Sequence, residues 1–211
     1  MDAHPGLFLV IDGPDGAGKS TQCRRLAERI ESAGRTVVRL RDPGDTALGE
    51  RVRAAVLDPA VGDLDAVTEV LLYQAARRRL VVEKLRPALA RGDVVVCDRW
   101  HYATQAYQGG GGGADAAVVR LTTKIATDGL EPRRAVLLDV DEAVAQRRLA
   151  ARSNGAPLDR MERRGADFRR RVRTAFRSVF GADPDRFVLV NANDGEDEVA
   201  ERVWHAFADL V

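Results

Sequence analysis

The sequence predicts an α/β fold, in which a five-stranded parallel sheet is covered by helices on both faces. Three observations lead to this prediction. Short apolar runs alternate with helical patterns along the 211 residues. Charged residues follow several of these runs directly, at the edge of the sheet where α/β proteins bind ligands. Neither an internal repeat nor a linker divides the chain, so residues 1–211 are predicted to form a single domain.

Five apolar runs are the predicted strands, because each is short and nearly continuous, as in strands that are buried on both faces. They span residues 7–11, 36–40, 94–97, 135–140 and 187–190. Asp12, Arg41, Asp98 and Asp141 stand at or just after the ends of four of them. Because the carboxyl ends of parallel strands meet at one edge of the sheet, we expect the chemically active residues to gather there.

Helical periodicity fills the gaps between the apolar runs. The predicted helices cover residues 20–33, 64–90, 115–128 and 142–151, followed by two amphipathic stretches at 168–179 and 199–210. The stretch 64–90 is either two helices or one bent helix, and Asp141 is the predicted N-cap of the helix at 142. Residues 109–113, all glycine, and the small-residue segment 153–157 are predicted loops, and residues 147–163 a mobile lid.

The most specific motif is Gly13-Pro14-Asp15-Gly16-Ala17-Gly18-Lys19-Ser20, which fits G-x-x-x-x-G-K-[ST]. The alternative is a chance glycine-rich turn, but a predicted strand precedes the motif and a predicted helix follows it. In that setting the glycines let backbone N–H groups point inward, and the helix N-terminus adds positive potential. Lys19 can then reach the β- and γ-phosphates of a nucleotide, and the Ser20 hydroxyl can bind Mg²⁺. The motif therefore predicts nucleoside-triphosphate binding.

Asp98 and Arg99 follow the third predicted strand directly. An acidic residue at the end of a buried strand beside a phosphate loop commonly serves Mg²⁺. The neighbouring guanidinium suits a second phosphate group. The alternative is an ion pair at the end of a strand, but the nearby phosphate loop favours the functional interpretation.

Arginines flank the predicted loop at 153–157. Arg148 and Arg152 lie four residues apart and so share a helix face, and Arg160 follows the loop. Most clusters of this kind are simply solvated helix surface. The position near the active edge of the sheet instead favours a lid that closes over a phosphoryl group, with Arg152 as the first choice.

Tyr73 and Arg77 form another pair on one helix face. Their ring and guanidinium could hold a nucleobase by stacking and hydrogen bonding, although packing in the core is the commoner use of a tyrosine. Thr104, Tyr107 and Gln108 follow the Asp98 strand and are weak indications on their own.

Composition excludes several classes of protein. The 33 basic and 32 acidic residues nearly cancel, whereas general nucleic-acid binding would require a basic excess. No apolar run approaches the length of a membrane span. We expect no signal peptide, because strand residues follow residue 5 at once. Cys23 and Cys97 lie in apolar patterns, so buried thiols and a cytoplasmic location are expected, with neither nucleic acid nor membrane as a partner.

Together these segments resemble the thymidylate kinases, and the resemblance covers nearly the whole chain. The phosphate loop alone would indicate only a superfamily, whereas the other segments are more specific in this order and spacing. The segments that carry the resemblance are the phosphate loop extended through Thr21 and Gln22, Arg41-Asp42-Pro43-Gly44 through Gly49-Glu50, Asp98-Arg99-Trp100, Ala106-Tyr107-Gln108-Gly109 and Leu158-Asp159-Arg160-Met161-Glu162.

The resemblance implies the fold of the phosphate-loop nucleoside monophosphate kinases and transfer of the γ-phosphate of ATP to dTMP, with Mg²⁺, by a homodimer. It also implies roles for individual residues, which fall into four groups. ATP would be held by Gly13, Pro14, Asp15, Gly16, Ala17, Gly18, Lys19, Ser20, Thr21 and Arg148. Mg²⁺ would be held by Ser20 and Asp98. The catalytic residues would be Lys19, Asp98, Arg99, Arg152 and Arg160. The acceptor dTMP would be bound by Asp15, Arg41, Pro43, Tyr73, Arg77, Arg99, Thr104, Tyr107 and Gln108.

Two alternatives stay open at the level of sequence. The chain could phosphorylate another acceptor, such as dUMP or a deoxynucleoside, although Arg41 and Arg99 favour an acceptor that already carries a phosphate. It could also be a nucleotide-binding regulator that has lost catalysis. Such a protein should lack the lid arginines or the Asp98–Arg99 pair, and both are present.

Overall fold

The computed structural model describes residues 6–153 and 157–211. Its centre is a five-stranded sheet with the strand order β2-β3-β1-β4-β5, and all neighbouring strands are parallel. The strands are β1 Leu7–Asp12, β2 Val37–Arg41, β3 Val94–Asp98, β4 Arg134–Asp139 and β5 Phe187–Asn191. The predicted fold class and all five predicted strands are confirmed, with boundaries that shift by one residue at most ends.

Helices connect the strands and surround the sheet. They are α1 Lys19–Ser32, α2 Ala47–Leu57, α3 Ala66–Leu80, α4 Arg86–Ala90, α5 His101–Thr104, α6 Ala116–Thr127, α7 Glu142–Ser153, α8 Ala166–Phe180 and α9 Glu196–Phe207. A 3₁₀ turn spans Pro59–Val61, and π-helical segments span Val81–Leu85 and Gln105–Gly111. Among the described residues, no helix is both long and apolar enough to cross a membrane.

Two hydrophobic cores form because successive side chains of a strand point to opposite faces of the sheet. On β1, Phe8 and Val10 belong to the core on the side of α3 and α8. Leu9 and Ile11 belong to the core on the side of α1 and α9. Each of these four side chains is almost completely buried. The continuous apolar run of β1 is thus explained by a strand that needs apolar residues on both faces.

The predicted helical stretch 64–90 is one continuous helical segment rather than two separated helices. Asp65 caps its start, with Oδ1 accepting hydrogen bonds from the N–H groups of Val67 and Thr68, both at 3.0 Å. The π-helical turn Val81–Leu85 joins α3 directly to α4.

The prediction of a loop at 109–113 is wrong for its first three residues, which complete the π-helical turn after α5. Close packing against α8 explains two of these glycines, Gly110 and Gly111. A Cβ on Gly111 would lie 2.6 Å from the Phe168 ring, and one on Gly110 would clash with the side chain of Ala175. The glycines therefore serve contact between two helical segments rather than flexibility.

The predicted loop at 153–157 lies largely outside the described residues. Ser153 ends α7 two residues later than predicted, and residues 154–156 are not described. Asp141 directly precedes α7, as the prediction of the helix start requires.

Candidate active site

The phosphate loop connects β1 to α1 at the centre of the sheet, as predicted. Gly18 stands at the N-cap of α1 with a φ of 91°, in the left-handed region that glycine adopts without strain. Because glycine has no side chain with which to cap the helix, the first N–H groups of α1 are left for a ligand. Lys19 folds back over the loop, and its Nζ donates to the carbonyl oxygen of Pro14 at 2.8 Å.

Lys19 is buried and has charged neighbours of both signs. Burial and the nearby guanidinium of Arg99 lower the pKa of Lys19 to about 8, although Asp15 and Asp98 raise it in part. The amine is still positively charged at neutral pH. A polyanion would stabilise this charge further, which is the behaviour expected of a phosphate-binding lysine.

Ser20 and Asp98 are brought together, since the Ser20 hydroxyl donates to Oδ2 of Asp98 at 2.5 Å. Hydroxyl and carboxylate oxygens are the ligands that Mg²⁺ prefers, and this ion usually keeps several waters and substrate oxygens as its other ligands. Within the described part of the chain no group of three or more His, Cys, Asp or Glu side chains could hold a metal ion. The oxygens of the Ser20–Asp98 pair fit the ligand chemistry of Mg²⁺.

Arg99 has an unusual backbone for a residue with a side chain, with a φ of 73°. The strained conformation is held by two hydrogen bonds: its own N–H donates to Ile11 O at 3.0 Å, and the next N–H, of Trp100, donates to Asp12 Oδ2 at 3.2 Å. Nη1 donates to Gly13 O at 2.8 Å. The strain thus points the guanidinium from β3 into the phosphate loop.

Tyr107 and Arg99 both bind the carboxylate of Asp15. Tyr107 donates its hydroxyl hydrogen to Oδ2 of Asp15 at 2.9 Å, and Nη2 of Arg99 bonds to Oδ1. Burial raises the pKa of Asp15, but Arg99 and Lys19 outweigh that effect and hold it below its ordinary value. Hydrogen bonds thus join the three side chains into one cluster next to the phosphate loop.

The carboxylate of Asp12, at the end of β1, binds backbone groups beside this cluster. It is fully buried and accepts hydrogen bonds from the N–H groups of Gly13 and Trp100. Burial raises the pKa of Asp12 to about 6, even though Arg99 and Lys19 lower it.

The raised pKa of Asp12 predicts a specific pH dependence of stability. The folded protein binds this proton more tightly than the unfolded chain, where the pKa is 3.8. The carboxyl group therefore stabilises the fold fully below pH 3.8, and its contribution is lost as the pH rises through about 6. We expect the free energy of unfolding of the wild type, minus that of Asp12→Asn, to fall by roughly 2–3 kcal/mol between pH 4 and pH 7.

Urea unfolding of both proteins across this pH range measures the difference. The subtraction removes the titration of every other group that the two proteins share. Parallel stability curves would contradict the predicted titration of Asp12.

A first cleft opens beside the phosphate loop, with a volume of about 310 Å³. The structure brings every predicted acceptor-binding residue to its wall: Asp15, Arg41, Pro43, Tyr73, Arg77, Arg99, Thr104, Tyr107 and Gln108. Several arginines face one cleft, which favours an anionic ligand. Tyr73 lines the cleft and also packs against the small apolar cluster that contains Val52 and Val56, so its stacking on a nucleobase stays a prediction.

Arg77 is fixed at the wall of the first cleft by three neighbours. Nε forms an ion pair with Oδ2 of Asp42 at 2.5 Å, Nη1 donates to Gln74 at 2.6 Å, and Nη2 donates to Thr104 at 3.0 Å. Both charged partners are almost completely buried. Since a guanidinium has five N–H groups, two are not used by these three bonds.

A second cleft, with a volume of about 520 Å³, lies on the other side of the loop. It is lined by the phosphate loop, the start of α1, Arg148 and residues 194–196 before and at the start of α9. Arg148 holds the β5–α9 connection in place, since it donates to the carbonyl oxygens of Ala192 at 2.8 Å and Asp194 at 2.7 Å. The structure thus places Arg148 in the wall of this cleft, and its contact with ATP stays a prediction.

The predicted lid arginines separate into two kinds. Arg152 borders both clefts, its side chain is 70% exposed, and it bonds to Glu162 at 3.0 Å. Arg160 lines neither cleft, which corrects the prediction of a catalytic contact for this residue in the described structure. Its Nη1 pairs with the buried carboxylate of Glu69 at 2.6 Å, and its Nε donates to Val56 O at 2.8 Å. The positive charge of Arg160 is therefore paired within the protein.

Arg53 is a wall residue of the first cleft that the sequence analysis missed. It lies on α2, a helix that was not predicted. Thr46 caps α2 by accepting from the N–H of Gly49 at 2.9 Å. Interpreting Thr46 as an N-cap would have predicted a helix whose second turn carries Arg53. Burial, with Arg41 and Arg99 nearby, lowers the pKa of Arg53, as expected for cations gathered around an anion site.

Comparison with known proteins agrees with this geometry. A family model described as thymidylate kinase matches residues 11–203. The chain is similar to a thymidylate kinase from Deinococcus radiodurans, with 46% identity over 97% of both chains. A thymidylate kinase from Solidesulfovibrio magneticus is 41% identical over 97% of this chain and 100% of its own length. One from Exiguobacterium sibiricum is 43% identical over 89% of this chain and 87% of its own.

Proposed function

The chain belongs to the thymidylate kinase family, and from that membership we infer that it phosphorylates dTMP to dTDP. One observation on its own residues supports this function most directly. The two clefts share Asp15, Lys19, Ser20 and Arg152 in their walls. Two phosphorylated ligands in these clefts would therefore meet at the phosphate loop, as phosphoryl transfer between them requires.

We assign the second cleft to the donor, ATP with Mg²⁺, and the first cleft to dTMP. The free N–H groups at the start of α1 and the charged amine of Lys19 suit the β- and γ-phosphates. Ser20 and Asp98 would hold Mg²⁺, which supplies further positive charge against the phosphate oxygens. Arg148 and residues 194–196 are left for the nucleoside end of the donor.

The residues of this chain stabilise and position charge rather than abstract a proton. The second pKa of a phosphate monoester is about 6, so the attacking oxygen of dTMP is already largely ionised at neutral pH. No histidine is needed as a base, which agrees with the position of His101, buried against Glu131 at 3.0 Å. Lys19, Arg41, Arg53 and Arg99 offset the repulsion between the two polyanions.

Arg152 is the last residue of the proposed site. Its long exposed side chain borders both clefts, so it can follow the phosphoryl group as it passes from donor to acceptor. Closing this side chain over the site would also exclude water, which would otherwise accept the phosphoryl group.

The arginines of the first cleft also bear on the alternative acceptors. A deoxynucleoside carries no phosphate for Arg41, Arg53 and Arg99, and its neutral hydroxyl would need a base. A nucleoside monophosphate satisfies the arginines and needs no base. This comparison favours dTMP or dUMP over thymidine.

The test is ADP release measured with ATP, Mg²⁺ and each acceptor in turn: dTMP, dUMP, dCMP, dAMP, dGMP and thymidine. We expect turnover that depends on an added monophosphate and is fastest with dTMP. ATP consumption that does not depend on any monophosphate, or a preference for thymidine, would overturn the proposal.

We also propose that the protein is a cytoplasmic homodimer. Exposed apolar residues lie on α3 and α6, which are joined by a 2.7 Å hydrogen bond from Gln74 to Thr123. They are Val67, Leu71, Leu121 and Ile125, with 42 to 65% of each residue exposed. This apolar face suits association with the same face of a second copy about a two-fold axis. The cytoplasmic location is supported by the free, buried thiols of Cys23 and Cys97.

Charges placed on this face should separate the dimer. We expect the Leu71→Asp and Ile125→Asp double variant to sediment as a monomer at concentrations where the wild type is a dimer. Leu189→Asp, which changes a 47% exposed residue on β5, is the matched control and should stay dimeric. Analytical ultracentrifugation measures both, and a double variant with the mass of the wild type would argue against this interface.

A further inference from the structure

A buried carboxylate on α3 connects the first cleft to the C-terminal end of the predicted lid. Glu69 is completely buried. Its Oε1 pairs with Nη1 of Arg160 at 2.6 Å and with Nη2 of Arg164. Its Oε2 accepts a hydrogen bond from Nε2 of Gln108 at 2.9 Å. Two guanidinium groups thus compensate one buried negative charge, and each oxygen has its own partners.

The bond from Gln108 fixes which end of its side-chain amide faces the cleft. A carboxylate offers only hydrogen-bond acceptors, so the NH₂ group of Gln108 must turn toward Glu69 and the carbonyl oxygen must turn away. Gln108 lines the first cleft, and no described residue donates a hydrogen bond to its Oε1. A free acceptor is therefore available to a ligand at this wall.

We propose that Glu69 is a positioning residue that sets the acceptor specificity: by binding the NH₂ group of Gln108, it presents the Gln108 carbonyl oxygen to a base with a ring N–H. Thymine and uracil have a hydrogen on N3, whereas N3 of cytosine is an unprotonated acceptor. An acceptor facing N3 stabilises the first two bases and repels cytosine. If the amide of Gln108 were free to turn, its NH₂ group could serve cytosine as well.

The neighbours of the cluster support an electrostatic role beyond packing. Tyr73 and Arg77 follow Glu69 at four-residue intervals on α3, and both line the first cleft. One of the two guanidinium groups, that of Arg160, comes from the end of the predicted lid, and the other, that of Arg164, from the residue just after it. Because they bind Oε1 of Glu69, the other oxygen, Oε2, is left to accept from Gln108.

This inference rests on the proposed function, in which the first cleft binds dTMP. The experiment compares kcat/KM for dTMP, dUMP and dCMP, with dCMP also measured as a competitive inhibitor. The proteins are the wild type, Glu69→Gln, Gln108→Glu and the double variant. The double variant exchanges the two groups, so that an amide at position 69 donates an N–H while a carboxylate at position 108 presents an oxygen to the cleft.

We expect Glu69→Gln to lower kcat/KM for dTMP more than tenfold and the preference for dTMP over dCMP at least tenfold, because the Gln108 amide can now turn. Gln108→Glu should be worse, since two carboxylates would face each other without an N–H between them. The double variant should restore the preference for dTMP over dCMP to within a few-fold of the wild type. The preference for dTMP over dUMP should stay unchanged throughout, because both bases carry the N3 hydrogen.

A purely structural role for Glu69 gives different results. General loosening of the cleft would change both preferences, and the double variant would be no better than the single ones. Either result, or an unchanged preference for dTMP over dCMP in folded Glu69→Gln, overturns the proposal. If the wild type fails to phosphorylate dTMP, the proposed function fails instead, so the two failures are distinguishable.

Two further variants complete the design. If Glu69→Gln does not fold, Gln108→Met removes the carbonyl oxygen and leaves Glu69 with both arginines. It should lower the preference for dTMP over dCMP at least tenfold, and an unchanged preference would again overturn the proposal. Glu28→Gln changes an exposed glutamate paired with Arg24 on α1 and should behave as the wild type.

Discussion

Lys19→Ala is expected to leave a folded protein whose kcat/KM for ATP falls at least a thousandfold, equivalent to about 4 kcal/mol of lost transition-state stabilisation. Lys19 is the charged amine of the phosphate loop and stands in the wall shared by the two clefts. Removing it takes away a cation that no neighbour can replace, since Arg99 is bound to Gly13 and Asp15. Steady-state kinetics with ATP and dTMP measures the loss.

Stability should not fall with activity in this variant. Burial already lowers the pKa of Lys19 to about 8, so the folded state holds its charge at a cost that alanine removes. We expect a melting temperature equal to or above that of the wild type at pH 7. Lys84→Ala, at an exposed lysine of the π-helical turn Val81–Leu85, controls for the loss of a positive charge. Full activity in Lys19→Ala would remove the phosphate-loop interpretation.

The second large effect is expected from Arg152→Ala, which should lower kcat about a thousandfold while changing ATP affinity only a few-fold. Arginines that stabilise the charge of a phosphoryl group during its transfer raise kcat by a factor of about 10³–10⁵. In the described structure Arg152 is tethered to Glu162 on the surface rather than buried, so its charge is available to substrates. Turnover measurements combined with calorimetric titration of a non-hydrolysable ATP analogue separate the two constants.

Two controls distinguish charge from geometry at this position. Arg152→Lys keeps the charge but loses the planar fork, so it should recover only part of the activity. Arg24→Ala removes an exposed arginine from α1 and should retain wild-type kinetics. Small and equal changes in kcat and ATP affinity for Arg152→Ala would show that this residue is not the lid arginine of the reaction.

The sequence predicted the placement of the site segments well where local pattern and chemistry coincide. The strand before Gly13 and the helix after it follow from periodicity, and the fixed letters of the loop follow from phosphate binding. Asp98 and Arg99 were singled out because a charged pair ends a buried strand beside a phosphate loop. All of these depend on residues close in sequence, or on the rule that parallel strands end at the same edge.

Predictions that depended on distant contacts were less successful. Arg160 looked like a second lid arginine, but its partner Glu69 lies 91 positions earlier, and nothing in the local pattern indicates that ion pair. Arg53 was missed because α2 was missed, although Thr46 indicates the start of that helix. The site is thus predictable as a set of segments, whereas the division of its arginines between ligand and protein required the structure.

The glycines that follow Gln108 differ in how much space a side chain would have at each position. Gly109 has open space where a side chain would begin, while Gly110 and Gly111 are pressed against α8. A protein engineer who treated the run as a neutral spacer, to be varied or used for fusion, would find the first position permissive and the next two closed even to alanine. A run of identical residues thus contains two positions that are closely packed against a neighbouring helix.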